Sequence, residues 1–329
     1  VLKTKEHQNS EVGISQCILN DLKPEHQIFV VEMGAYNRGG IKLLCDIAKP
    51  KIGILTGINE QHMATFGSQE NIIKTKYELI ESLPQNGLAI FNGSDPHVLG
   101  LYLNTKKPKR IFKYRPILED GIEPDISAKD IEVLKDFIKF KVFSKEGEVA
   151  DFKVNLLGVH NIPNLLASIL VARELDMSFD EIQKGCEKIR PGQGAMKLFK
   201  TKEGLNIIDS TYSVNPDGVM AHLEYLKIWP GKKIIVMPCL IELGKASKEI
   251  HKKIGEGIGQ VCNLAAITTK EYFNEIKEGA IKSGMLEKNI LFLEDPKEIF
   301  EKIKNFTKPN DVILLEGRIP REVIELLSD

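Results

Sequence analysis

Short, wholly apolar runs alternate with helix-length stretches along the first part of this chain, and that rhythm restricts the fold more than any other feature. Ile28–Val31 (IFVV), Lys51–Leu55 (KIGIL) and Leu88–Phe91 (LAIF) have the length and composition of buried strands. Between them, Ile41–Ala48 is an apolar-rich helix, and Asn71–Ser82 places Ile72, Ile73, Tyr77, Leu79 and Ile80 at helical spacing. Strands apolar on both faces need cover on both faces. Strand–helix alternation therefore predicts an α/β fold with a parallel, doubly wound sheet.

The rhythm breaks over residues 126–157. Phe137–Phe143 (FIKFKVF) and Phe152–Leu156 alternate apolar and polar residues around Ser144–Gly147, which predicts an antiparallel hairpin inserted in the α/β domain. Asn161–Leu175 reads as a helix, with Pro163 in its first turn, where a missing amide proton costs little. Pro191-Gly-Gln-Gly194 is the best linker. After it the alternation restarts, with strands expected at 205–208, 233–237, 264–268, 290–293 and 312–315. Two domains follow, residues 1–191 and 192–329, the second a Rossmann-like α/β unit.

Composition excludes some function classes. The 45 Lys+Arg and 46 Asp+Glu residues leave a net charge of −1, so nothing argues for nucleic-acid binding. No apolar run is long enough for membrane insertion. The five cysteines form no CxxC pair and are expected to be reduced, as in a cytoplasmic protein.

Several residues sit where chemistry is expected. Glu32 falls just past IFVV, and His62 lies in the loop after KIGIL, followed by Lys76 and Glu78 on the next helix. Carboxylates and imidazoles at the carboxyl ends of parallel strands stand in the crevice where α/β proteins bind ligands, and suit a nucleotide–metal site. Each also has a bland reading: a capping glutamate, a surface histidine, a solvated lysine. Asn161 opens a helix and caps it, or lies with Asn164 against a base. Asp209 and Tyr212 follow a strand, and Asn215-Pro216 is a helix start on its own. Gly255-Glu-Gly-Ile-Gly259 has the wrong spacing for GxGxxG and is expected to serve close helix packing. No GxxxxGK[ST] occurs, so a phosphate cradle of that type is missing.

The order of these signals is more specific than any one of them. VVEMGAYNRGGI, TGINEQHMATFGSQENIIKTKYEL, GVHNIPNLLAS, IIDSTYSVNPDGV and IELGKASKEIH together resemble the Mur ligase family, ATP-dependent amide-forming enzymes of peptidoglycan precursor synthesis. The branch it resembles adds D-Ala-D-Ala to a UDP-MurNAc-peptide. The resemblance implies most of a central ATPase domain plus a C-terminal Rossmann-like domain, with the phosphate loop upstream of Val1. It also implies that this chain alone is inactive.

By resemblance, Glu32 would bind Mg²⁺ between ATP phosphates, and His62 would ligate a second Mg²⁺ with a carbamylated Lys76. Asn161 and Asn164 would lie beside adenine, and Asp209, Tyr212 and Asn215 would close over ATP. The chain departs from the family in four places. Ala195 stands where a phosphate-contacting arginine is usual, and Asp209-Ser210 replaces Asp-Asp. Met237-Pro-Cys239 replaces a Gly-Asp run, and Glu316-Gly-Arg318 replaces Lys-Gly-Ser. These departures leave two further readings open: a non-catalytic Mur-like binding module and a folylpolyglutamate-type ligase.

Overall fold

The computed structural model describes residues 1–114, 121–192, 194–212 and 214–328. Gln193 of the linker and Ser213 of the Asp209 run lie outside the described residues. The chain divides into two compact units. The first comprises residues 1–129, 142–150 and 162–178, and the second residues 130–141, 151–161 and 179–329.

The chain opens with β1 (Leu2–Lys3), α1 (Glu11–Asp21), β2 (Phe29–Val30) and α2 (Gly40–Ala48). There follow β3 (Ile52–Leu55), α3 (Met63–Phe66), α4 (Gln69–Glu81), β4 (Leu88–Asn92), α5 (Pro96–Asn104) and β5 (Lys109–Lys113). Strands β6 (Ile126–Val133), β7 (Ile138–Ser144) and β8 (Val149–Val154) lead to α6 (Ile162–Glu174) and α7 (Phe179–Cys186). The strands from β3 to β8 form one six-stranded sheet in sequence order, with β3 to β6 parallel. The pattern change at residue 126 thus marks three strands rather than two. A tight turn joins β7 to β8: Ser144 accepts from Gly147 N–H at 3.1 Å, and Gly147 has φ +90°.

IFVV departs from expectation. Only Phe29–Val30 is extended, and it pairs with β1 in a separate two-stranded sheet. Val30 is 54% exposed. Apolar composition predicted extension here but not depth.

The second unit continues with β9 (Lys197–Lys200), β10 (Asn206–Ser210), α8 (Pro216–Leu226), β11 (Lys233–Met237), α9 (Ser247–Val261) and β12 (Leu264–Ile267). It ends with α10 (Phe273–Lys282), β13 (Ile290–Phe292), α11 (Pro296–Phe306), β14 (Val312–Glu316) and α12 (Arg321–Ser328). Its sheet runs β13-β12-β11-β14-β10-β9, parallel except for β9. Consecutive side chains alternate between two cores. Ile208, Ile235, Met237 and Leu314 pack with α8, α9 and α10, whereas Ile207, Ile234, Val236 and Ile313 pack with α11 and α12. This double cover is why these strands read as unbroken apolar runs.

The glycines of α9 serve packing, as expected. A Cβ on Gly255 would lie 2.1 Å from Ile276 O, and one on Gly279 of α10 would lie 2.1 Å from Lys252 O. The two backbones touch where any other residue would force them apart. Gly279→Ala is therefore expected to lower stability by about 1–3 kcal/mol, as overpacking does. A urea midpoint equal to that of the parent protein would show that α9 and α10 part without cost.

Candidate active site

In the first unit, Glu32, His62 and Lys76 come from two strand ends and a helix. Asn9 Nδ2 donates to Glu32 Oε1 at 3.3 Å, and the Glu32 backbone N–H donates to Thr4 Oγ1 at 3.3 Å. His62 adopts a left-handed conformation (φ +64°), uncommon for a residue with a side chain and held only when the surroundings enforce it. Here α3 begins at the next residue, and Phe66 N–H donates to His62 O at 3.1 Å. The Tyr36 ring meets the imidazole edge-on, with centroids 4.7 Å apart.

Lys76 lies on α4, whose first turn is capped by Ser68 accepting from Asn71 N–H at 3.2 Å. Burial pushes the Lys76 ammonium below its ordinary 10.5, and the charge of Glu32 partly opposes that shift. Such a lysine carries more of its neutral, nucleophilic form than a solvated one. Glu78 plays a different part. Its carboxylate accepts from Gly39 N–H at 2.7 Å and Lys42 N–H at 3.0 Å, which caps α2.

Two residues that sequence reasoning missed hold the loop after β3. Asn92 Nδ2 donates to Thr56 O at 2.7 Å. Asp95 accepts from Ile58 N–H at 3.0 Å and, through its other oxygen, from Val98 N–H at 2.9 Å. The signal for Asp95 was its place before Pro96 at a helix start.

Among the described residues no three His, Cys, Asp or Glu side chains converge to hold a metal ion.

In the second unit, β14 lies between β10 and β11. The chain leaves β10 for α8 on one face and leaves β14 for α12 on the other. Adjacent parallel strands whose connections diverge to opposite faces open a crevice at their carboxyl ends, the usual ligand position in such sheets. A cavity of 360 Å³ lies there, lined by Gly194, Ala195, Lys197, Asp209, Ser210, Thr211, Tyr212 and Arg318. Asp209 Oδ1 accepts from the Thr211 N–H at 3.0 Å and from its hydroxyl at 2.6 Å. A larger cavity of 680 Å³ is lined by charges of both signs and by Phe140 and Phe152, and none of the residues singled out from the sequence reaches it.

Beneath the smaller cavity is a buried polar cluster. Glu316, with no solvent exposure, accepts from His222 Nδ1 at 2.7 Å, and that nitrogen lies 3.3 Å from Ser210 Oγ. The His160 ring stands edge-on to His222, with centroids 5.0 Å apart. Burial, with His222 adding to it, pushes His160 down to about 4.

Comparison with known proteins agrees with this architecture. Residues 1–172 match the Mur ligase middle domain, and residues 196–319 match the Mur ligase, glutamate ligase domain. The chain belongs to the Mur ligase family. Its class is therefore that of ATP-dependent ligases. The UDP-N-acetylmuramoyl-tripeptide--D-alanyl-D-alanine ligase of Bacillus subtilis is 27% identical over all of this chain and 69% of its own length. The Escherichia coli protein of that name is 26% identical over 80% of this chain and 58% of its own length. The MurF ligase from Thermotoga maritima in complex with ADP superposes with a TM-score of 0.84 at 27% identity, over 99% of this chain and 73% of that one. MurF from Acinetobacter baumannii, at 24% identity and a TM-score of 0.85, shares the fold. The chain thus spans 58% to 69% of the length of these two curated relatives.

Within the Mur ligase frame, several expected side chains already have partners. Asn161 does not cap α6. It ends a 3₁₀ turn, and its Nδ2 donates to Leu157 O at 2.8 Å and lies 3.2 Å from His160 Nε2. That amide nitrogen is a donor spent on the turn, whereas an N-cap would have used the side-chain oxygen. Asn164 is exposed on α6. Asn215 caps α8, accepting from Gly218 N–H at 2.8 Å. Tyr212 is 38% exposed at the cavity. All five cysteines are free and buried, and burial pushes Cys262 up to about 12.

The depressed His160 pKa has a consequence for stability. The unfolded chain takes up a proton near 6.5, whereas the folded chain resists it until about 4. Stability is thus fully present above 6.5 and falls as pH drops toward 4. His160→Asn is expected to flatten the decline in urea midpoint between pH 7 and pH 5. An unchanged slope would assign the acid sensitivity to other groups.

Proposed function

We propose that this chain forms the central and C-terminal parts of an ATP-dependent ligase of peptidoglycan precursor synthesis. It would join the carboxylate of a UDP-MurNAc-peptide to D-Ala-D-Ala or a similar amine. The observation that carries this reading is the match to both Mur ligase models, in order, over most of the chain. The names of the Bacillus subtilis and Escherichia coli relatives support the choice of branch. A domain boundary at 191/192 is part of this reading, supported by the gap between the two matched stretches. Such a ligase would work in the cytoplasm, where ATP and UDP-linked precursors are found.

In the reaction, a carboxylate oxygen attacks the γ-phosphorus of ATP, the bond to ADP breaks, and an acyl phosphate forms. The amine nitrogen attacks the acyl carbon, and the adduct expels phosphate and loses a proton to leave an amide. Two anions must meet in the first step. Bound Mg²⁺ would supply the positive charge that this requires.

Glu32 and His62 would hold the cations, each oriented by the contacts described above. Lys76 would add its neutral amine to CO₂: a C–N bond forms, a proton leaves, and a cation becomes an anionic ligand. Its depressed pKa supports this step, since only the free base reacts. Asn161 and Asn164 would face the base. Asp209, Tyr212 and Asn215 would contact the nucleotide, Asn215 through Nδ2 because its oxygen caps α8.

Two outcomes test this. The reading frame is expected to encode GxxGK[ST] within about thirty residues before Val1, as a βα phosphate-loop unit demands. A complete upstream frame without it would overturn the proposal, as would robust ATP hydrolysis by the present chain alone. The full-length protein is expected to release phosphate with D-Ala-D-Ala, and Lys76→Arg, which blocks carbamate formation, to lower kcat roughly a hundredfold. Turnover with glutamate alone would move the chain to the folylpolyglutamate-type ligases.

A further inference from the structure

His160 has no part in the roles proposed above, yet its surroundings hold it closely. Gly158 takes φ +87°, and a Cβ there would lie 2.8 Å from His160 Cε1 and Nδ1. Only a glycine lets the ring lie so near the backbone. The His222 ring of α8 meets it edge-on, and His160 Nδ1 is buried without a hydrogen-bond partner among the described residues. Nε2 lies 3.2 Å from Asn161 Nδ2. An amide nitrogen has only protons to offer, so Nε2 is the bare, accepting nitrogen and the ring proton sits on Nδ1. Burial and His222, the titratable group beside it, hold the pKa at about 4, so the ring is uncharged at neutral pH.

Asn161 Nδ2 has two protons and three acceptors in reach: Leu157 O at 2.8 Å, His160 Nε2 at 3.2 Å and Gly158 O at 3.3 Å. Leu157 O takes one proton. Gly158 O already accepts the backbone N–H of Asn161 at 3.4 Å, which leaves His160 as the nearer and freer acceptor for the second. Asn161 Oδ1 receives no hydrogen bond among the described residues, and it is not buried. The carboxamide therefore offers a ligand an acceptor and keeps its donors for the turn.

We propose that His160 is a positioning residue: its Nε2 locks the Asn161 carboxamide with Oδ1 free, and so makes this position select a base that carries an amino group on its edge. Adenine presents an exocyclic amino donor, which Oδ1 can accept. Hypoxanthine, of the same shape, presents a carbonyl oxygen there, and two acceptors would face each other. Were the amide free to turn over, its Nδ2 could donate to that carbonyl and the distinction would fade. The base selectivity rests on the function proposed above; the locked amide does not.

Two measurements test this. Histidine ¹⁵N NMR of the present chain at neutral pH is expected to show His160 protonated on Nδ1 and bare on Nε2; the opposite tautomer overturns the lock without reference to any nucleotide. Calorimetric titration of the full-length protein is expected to show ADP bound about tenfold more tightly than IDP, the worth of one hydrogen bond against one mismatched acceptor. His160→Phe, which keeps a ring and removes the acceptor, is expected to cut that preference to about threefold or less, and His160→Gln, which restores an acceptor, to recover it. The readout is a ratio within one protein, so a uniform loss of affinity or of folded material cancels. An unchanged ratio in His160→Phe, or a ratio in His160→Gln as low as in His160→Phe, overturns the positioning role. Equal affinity for ADP and IDP in a parent protein that retains ligase activity overturns the base selectivity and leaves the proposed function standing. Failure of the parent protein to bind either nucleotide overturns both.

Discussion

Glu316 is a carboxylate with no solvent exposure at the end of the central strand of the second unit, and its hydrogen bond to His222 is the interaction on which the neighbouring geometry depends. A buried carboxyl group left without a hydrogen bond costs free energy, and His222 at 2.7 Å supplies one. His222 is carried by α8, whose start is set by the Asn215 cap. Ser210 touches the same ring nitrogen and accepts the Gly317 N–H through its carbonyl. The end of β10, the start of α8 and the end of β14 are therefore tied to one another beneath the cavity.

That arrangement explains a division of labour among the residues around it. Asp209, Tyr212 and Arg318 line the cavity, whereas Ser210 joins its floor to the buried pair. The first unit uses the same device with different parts. Asp95 and Asn92 hold the loop after β3, Glu78 pins the start of α2, and Asn9 steadies Glu32. In both units hydrogen-bonded side chains fix the loops that carry the candidate site residues.

Much of this was legible in the sequence, for identifiable reasons. Strands β3, β4, β10, β11, β12 and β14 were readable because cover on both faces leaves mainly apolar residues along them, with polar groups kept to their ends. The α9 glycines were readable as packing because their spacing suits a helix and no phosphate turn. Composition could not give depth: IFVV looks like a core strand and is half open, because exposure depends on what packs above it. The partners of Asn161 and Glu78 were hidden too. A side-chain amide or carboxylate near a helix start serves a cap, a turn or a ligand equally well, and only the fold decides which backbone groups come within reach. The Glu316–His222 pair spans 94 positions, beyond any local pattern.

The departures from the Mur ligase pattern sort themselves once placed in the sheet. Ser210 and Glu316 are direct partners in the β10–β14 register. The usual Asp and Lys at those positions would stand side by side as a buried pair of opposite charge. Here an acid occupies the lysine's place and a hydroxyl the acid's. His222 bonds Glu316 Oε2 and approaches Ser210, while Glu316 Oε1 stays buried without a hydrogen-bond partner among the described residues. The exchange at 316 is therefore accommodated inside a buried polar cluster. The change two residues later differs in kind, because Arg318 is exposed and faces the cavity. Of the three residues Glu316-Gly-Arg318, one preserves the fold, one turns the chain, and only the last is in a position to change what the protein binds.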